Sequence, residues 1–206
     1  MMTSKNHWET VYGNRSDPET SWFQEHATQS LQLIHTVQPP LSASIIDIGG
    51  GTSPLVHDLI EAGYTNLSLL DLSGKALTRA QSKLKDRDPG ITWWEGDITE
   101  AALPPDGYDL WHDRAVFHFL THPSDRRQYT DAASKAIKPG GHLIVATFAD
   151  DGPTECSGLP TCRYSPAALE AEFADTFECL QCQKENHRTP NGVEQPFVYC
   201  LFRRKG

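Results

Sequence analysis

The sequence predicts an α/β fold, a largely parallel sheet covered by helices on both faces. Three observations carry this reading. From Ser42 onward, short β-rich runs alternate with helical patterns, the links between them are short, and a length of 206 residues suits one domain. Residues 44–48 (SIIDI) read as the first strand and 54–62 as the helix after it. Residues 67–72 form a second strand, and 74–85 a helix in which Ala76, Leu77, Ala80 and Leu84 fall near helical spacing. Strands are expected at 91–95 and 108–112. A helix over 126–137 should stop at Lys138-Pro139-Gly140-Gly141, and a fifth strand should fill 142–148. Beyond it come a short helix at 166–173 and two extended runs, 176–184 and 195–203, flanking Pro190-Asn191-Gly192. Those two runs are expected to pair antiparallel and close one edge of the sheet.

Composition narrows the function classes. With 38% hydrophobic residues and 15 glycines, the apolar share is that of an ordinary globular chain, which excludes disorder and collagen. No apolar run approaches the roughly 20 residues needed to cross a bilayer, and the start MMTSKNHWET has no apolar signal core. A cytoplasmic protein without a membrane partner is the expectation. The net charge of −9 makes nucleic acid a poor partner. Five cysteines, an odd count, are expected to be reduced thiols.

The first 40 residues stand outside the alternation and are read as a helical lid segment on a single globular domain that runs from 41 to 206. They hold Trp8, Tyr12, Trp22 and Phe23, then an amphipathic stretch with Leu31, Ile34 and Val37. The latter three fit plain core. Trp8, Tyr12 and Trp22 divide evenly between core packing and a cover over a bound ligand.

In an open α/β sheet, ligands bind beyond the carboxyl ends of the strands. The first strand here ends in Asp47-Ile48-Gly49-Gly50-Gly51-Thr52-Ser53, and Pro54 opens a helix. Glycines allow a tight turn and an approach unobstructed by any Cβ. Asp71 ends the second strand, 71 − 51 = 20 residues past the last glycine, where an acid can accept both hydroxyls of a ribose. A dinucleotide would need a third glycine where Pro54 stands, and Asp47 would repel a pyrophosphate. A carboxylate there suits a cation, so S-adenosylmethionine, with its sulfonium and ammonium, fits better than NAD.

These residues resemble the class I S-adenosylmethionine-dependent methyltransferases over most of 42–148, and more loosely over the rest. IIDIGGGT (45–52), LLDLS (69–73), WEGDI (94–98), YDLWHDRAVFHFL (108–120) and IKPGGHLIVAT (137–147) are similar to that superfamily's successive motifs. The leader with the fourth motif is also similar to a bacterial group of small methyltransferases and, more distantly, to methyltransferase-like protein-lysine enzymes. The resemblance implies a Rossmann-like seven-stranded sheet in the order 3-2-1-4-5-7-6, with strand 7 antiparallel. It implies that Asp97 binds the adenine amino group with Ile98 flanking the ring. The expected cofactor set is thus Asp47, Gly49, Gly50, Gly51, Asp71, Leu72, Asp97, Ile98 and His112, with Trp8, Tyr12 and Trp22 above it. The fourth motif lacks Asn/Asp-Pro-Pro-Tyr, which argues against methylation of adenine, cytosine or glutamine amino groups.

Methyl transfer is an in-line displacement in which alignment supplies much of the acceleration. A base is needed only when the acceptor carries a proton. Asp113 and His118 are the catalytic candidates, with an N-cap role for Asp113 and partial burial for His118 as the structural alternatives. Arg114 either holds an acidic acceptor or pairs with Asp113 or Asp109. Cys179 and Cys182, three apart in a strand, should face opposite sides and hold no metal. Cys156 and Cys162 lie in a loop that could line the acceptor pocket with Arg163, Tyr164 and His187. A small molecule is the expected acceptor, with a protein lysine next and a non-catalytic cofactor-binding protein after that.

Overall fold

The structure, a computed structural model, describes residues 2–206, so Met1 of the expected lid segment lies outside it. Seven strands form one sheet: β1 Ser44–Ile48, β2 Asn66–Asp71, β3 Thr92–Glu95, β4 Tyr108–Arg114, β5 Ile137–Phe148, β6 Phe177–Arg188 and β7 Glu194–Arg204. Their order is 3-2-1-4-5-7-6. The first five run parallel, and β7 is antiparallel to β5 and β6. Six helices accompany them: α1 Met2–Asn14, α2 Thr28–Val37, α3 Leu55–Glu61, α4 Gly74–Leu84, α5 Pro123–Ala136 and α6 Pro166–Phe173. Two buried apolar clusters, one per face of the sheet, supply the core. Leu33, Ile34, Leu55 and Leu77 are in one, Trp111, Tyr129, Phe173 and Phe177 in the other. Among the described residues, no helix is long and apolar enough to cross a membrane.

Boundaries differ from the sequence expectation where local chemistry decides them. Ser73 caps α4 by accepting from the Ala76 amide at 3.2 Å. Helix α5 starts three residues early because Pro123 suits a first turn that has no amide partner to lose. Ile137, expected as the last helical residue, already pairs with Tyr108, so β5 begins before the Pro-Gly-Gly turn. The β6–β7 hairpin is longer than expected and carries Gln195 and Phe197 to the crevice.

The cysteines of that hairpin correct two expectations. A bulge between Cys179 and Gln181 breaks the two-residue alternation. Cys179 and Cys182 therefore share a face, with sulfurs 3.5 Å apart. Cys182 lies directly opposite Cys200 across the ladder, at a Cα separation of 4.2 Å, and the two form a disulfide. Cys156, Cys162 and Cys179 are free.

The end of β4 is turned by Asp113. Its Oδ1 accepts from the Val116 amide at 2.8 Å, while Oδ2 accepts from the Phe117 amide at 3.0 Å and the Tyr129 hydroxyl at 2.7 Å. Tyr129 in turn accepts from the Trp111 indole at 2.9 Å. Ala115, just beyond, takes a left-handed φ of 73°, a strained conformation for a residue with a Cβ. The chain then makes a 3₁₀ turn over Phe117–Phe119.

The leader is fastened to α4 by charge. Arg79 donates to Asp17 and to the Arg15 carbonyl, both at 2.8 Å, and to the Tyr12 carbonyl, and Lys83 also pairs with Asp17. Burial would raise the Asp17 pKa, but the hydrogen-bonded Lys83 and Arg79 outweigh it and hold the carboxyl below its ordinary value. On the sheet side, α2 buries Leu33 and Ile34, and Asp58 of α3 accepts from the Ala27 amide at 2.7 Å.

Two outcomes follow from this packing. Asp113→Ala strands two backbone amides and a buried hydroxyl, and should cost about 2–4 kcal/mol in urea unfolding; unchanged stability would remove the turn-holding role. Asp17→Ala should raise amide hydrogen exchange in residues 5–23 while leaving β1, β4 and β5 protected, and equal protection of the leader would show that the charges do not hold it.

Candidate cofactor and acceptor cavity

A cavity of ≈ 390 Å³ lies beyond the carboxyl ends of the parallel strands, within the usual size range for small-molecule sites. The sheet order assigns its two halves. Asp71 and Leu72 after β2, and Gly96–Thr99 after β3, form one side. Arg114 of β4, Phe148 of β5, the short hairpin at Cys156–Pro160, and Gln195 and Phe197 of β7 form the other. Trp8, Tyr12 and Trp22 roof both halves, with Trp8 set edge-on against Trp22 at 5.7 Å and Phe119 at 5.2 Å. A smaller recess of ≈ 40 Å³ adjoins it behind Tyr12 and Trp22, lined by Asp47, Gly49, Gly50 and His112.

The glycine turn is built for close approach. Gly49 and Gly51 take φ of 65° and 34°, in or near the left-handed region that glycine tolerates. A Cβ on Gly51 would stand 2.8 Å from both Asp71 Oδ2 and the Tyr12 hydroxyl, so lid, acid and loop converge on one point. Asp71 Oδ1 accepts from the Ser73 amide at 2.8 Å. Burial pushes the Asp71 carboxyl up to about 7, the Ser73 and Gly51 amides pull it back, and nearby Asp47 adds repulsion. Asp97 Oδ1 accepts from the Thr99 amide and hydroxyl at 2.9 and 2.7 Å, which fixes the carboxyl at the cavity beside Ile98.

Asp47 sits at the back of the turn. Its Oδ1 lies 2.7 Å from His112 Nδ1, and His112 Nε2 lies 2.8 Å from Ser30 Oγ. Its Oδ2 is buried with no protein partner. A buried carboxylate oxygen without a donor is costly, and a ligand ammonium would satisfy it. Three acids, Asp47, Asp71 and Asp97, around a glycine cradle suit an adenosine carrying positive charge and repel a pyrophosphate. The residues present therefore fit S-adenosylmethionine.

Several candidates from the sequence lie elsewhere. Asp113 is fully buried and spends both oxygens on the turn and Tyr129. His118 is also fully buried, stacked among Phe119, Phe148 and Phe197, with Nδ1 accepting from the Phe148 amide at 3.3 Å. Burial, with Arg114 nearby, pushes its pKa down to about 3. Neither lines the cavity, so the catalytic expectation for both is corrected to a packing role. His112 lines the recess beside Asp47, with both ring nitrogens engaged by Asp47 and Ser30. Of the cysteine loop, Cys156 lines the cavity and Cys162 does not. Arg163 donates to the Gly152 carbonyl, and His187 contacts the Ser21 carbonyl at 2.8 Å.

Sequence reasoning missed Ser30, Phe119, Gln195 and Phe197. Ser30 sat in the amphipathic stretch read as core, and Phe119 in the fourth motif, where attention fell on His118 beside it. Gln195 and Phe197 come from the edge hairpin, and no local pattern signals that β7 reaches the crevice.

Residues 45–141 match the family described as a methyltransferase domain. The chain is 24% identical over 194 residues to human EEF1A lysine methyltransferase 2, covering 86% of this chain and 75% of that protein. It is 25% identical over 170 residues to malonyl-[acyl-carrier protein] O-methyltransferase of Paenibacillus sp. (strain JDR-2), covering 71% and 60%. A solved structure from work on conversion of a disulfide bond into a thioacetal group during echinomycin biosynthesis superposes with a TM-score of 0.80 at 19% identity, over 98% of this chain and 92% of that one. Burkholderia thailandensis 1,6-didemethyltoxoflavin-N1-methyltransferase, solved with 1,6-didemethyltoxoflavin and S-adenosylhomocysteine bound, gives 0.69 at 16% identity, over 100% and 85%. The methyltransferase domain match over 45–141, the strand order, the glycine turn and the acid-lined crevice together support a class I S-adenosylmethionine-dependent methyltransferase.

Proposed function

We propose that the chain methylates a small-molecule acceptor held in the outer half of the cavity, with Trp8, Tyr12 and Trp22 closing over it. The observation that carries this reading is the roofed cavity spanning the glycine turn on one side and an aromatic wall on the other. In this reading Asp71 accepts the ribose hydroxyls, Asp97 and Ile98 take the adenine, Leu72 packs beside them, and the amides of Gly49, Gly50 and Gly51 pass close to the methionyl part. Asp47 Oδ2 receives the ammonium, and His112, braced by Ser30, holds Asp47 in place. The bound cofactor supplies a methyl carbon activated by its sulfonium: the acceptor's lone pair bonds to that carbon, and the carbon–sulfur pair leaves with sulfur. The chain's own contribution is then to align the acceptor, exclude water with the tryptophans, and tilt the field toward the cationic donor.

A protein lysine is the second reading, favoured by the likeness to EEF1A lysine methyltransferase 2 over most of both chains. Transfer of labelled methyl from S-adenosylmethionine into host-cell extract separates the two. Label is expected in the small-metabolite fraction, and label confined to a protein band would overturn the small-molecule reading.

Ribose hydroxyls donate to a carboxylate, so the cofactor binds the ionised form of Asp71. With the free group at about 7, affinity should fall roughly tenfold per unit as pH drops below that value, with uptake of a proton by the free protein. Calorimetric titration with S-adenosylhomocysteine between pH 5 and pH 8 measures this. Asp71→Asn should bind weakly at every pH with the slope abolished, and an unchanged slope in that variant would remove Asp71 from the ribose site.

A further inference from the structure

Arg114 ends β4 and lines both the cavity and the recess. The two carboxylates that could neutralise it from sequence are both committed elsewhere. Asp113 points to the far face, to Tyr129 and its own turn. Asp109 pairs with Lys138 at 2.8 Å and accepts from the Ser44 amide at 2.8 Å. Arg114 makes no ion pair among the described residues. It is held by neutral groups instead: Nε donates to the Tyr199 hydroxyl at 2.8 Å, Nη1 to the Trp22 carbonyl at 3.4 Å, and the guanidinium carbon sits 4.5 Å over the Phe197 ring. Nη2 is buried and has no partner at all.

Glu185 also bears on the Tyr199 hydroxyl but makes no ion pair with Arg114, and a half-buried guanidinium without a direct counter-ion is an unfavourable arrangement. Its planar fork is suited to a carboxylate or a similar oxyanion. The cavity groups from β5, the short hairpin and β7 are Phe148, Cys156, Leu159, Pro160, Gln195 and Phe197, largely apolar surface with one thiol and one neutral amide. Of the acids lining the cavity, Asp71 and Asp97 belong to the β2–β3 half, and Asp125 comes from the first turn of α5.

We infer that Arg114 is the acceptor-binding residue of this enzyme and that the acceptor is an aromatic or apolar small molecule bearing a carboxylate or comparable oxyanion, which the free Nη2 grips while the ring packs on Phe148 and Phe197. This rests on the reading of the outer half as the acceptor site. It sets the acceptor apart from a lysine, whose ammonium Arg114 repels. It also gives Arg114 a positioning contact to substrate rather than a proton-transfer task, since a guanidinium does not deprotonate in proteins.

Ligand-observed NMR on the protein loaded with S-adenosylhomocysteine tests this, with benzoate, benzamide and benzylamine as probes of one shape and three charges. Benzoate should bind the wild-type protein about tenfold or more tighter than benzamide, the size expected of a charge-assisted hydrogen bond, with benzylamine weakest. Arg114→Gln, kept saturated with S-adenosylhomocysteine because Arg114 also lines the recess beside Asp47, should level benzoate with benzamide. The wild-type ranking stands as a test even if that variant does not fold. Benzylamine binding best, benzoate binding no better than benzamide, or benzoate unaffected in Arg114→Gln would each overturn the proposal. Absence of S-adenosylhomocysteine binding to the wild-type protein would instead overturn the cofactor reading beneath it.

Discussion

Strand β1 has a parallel neighbour on each side, β2 and β4, and the chain reaches them by crossovers that leave in opposite directions along the sheet. At such a reversal the loops diverge and a crevice opens above the strand ends. The register of that pairing sets everything above it. Asp47 lies beside His112, and Ile48 beside Asp113. One slip of a residue would send Asp113 into the α2 face and break its contacts to Tyr129 and the Val116 and Phe117 amides. The full burial of those groups makes any other register expensive, so the polar network fixes the crevice as firmly as the apolar core does.

Electrostatics divides the cavity as the sheet does. Asp71 and Asp97 line the β2–β3 side, where burial, with Asp47 nearby, raises the cost of ionising Asp71. A lone guanidinium stands on the β4–β7 side. Charge is therefore unevenly spread within the cavity, as the proposed pairing of a cationic donor with an anionic acceptor requires. The leader joins the two halves. It is tied to α4 through Asp17, to the sheet through His187 and the Ser21 carbonyl, and to Arg114 through the Trp22 carbonyl. Its aromatic residues are consequently both packed and cavity-facing, so core packing and a place over the cavity are not exclusive for Trp8, Tyr12 and Trp22.

Much of this was legible along the chain. Alternating strand and helix patterns with short links place β1 to β5 and their helices, because local periodicity and a right-handed crossover leave few other arrangements. The glycine turn and Asp71 were legible too, since backbone freedom and a carboxylate at a strand end are properties of single residues at a fixed spacing. Asp97 and Ile98 were located through likeness of their motif, and the structure puts them on the same cavity wall.

Other features were decided only when the chain closed on itself. Asp113 and His118 have chemistry that suits a catalytic acid or base, and between that and the burial or capping their neighbours also allow, only contacts with the distant Tyr129 and Phe197 decide. The bulge at Cys179 reverses the facing of one cysteine and so gathers three sulfurs that strict alternation would separate. Arg114 was read as pairing with Asp113, Asp109 or an acceptor, and it was the partners found by those two acids that left it free. Sequence alone thus determined the sheet, the glycine turn and the placing of Asp71 beside it, because these depend on the conformational limits of single residues and short spacings. The tertiary structure decided which titratable groups face the cavity, because burial and pairing depend on residues brought together from distant elements.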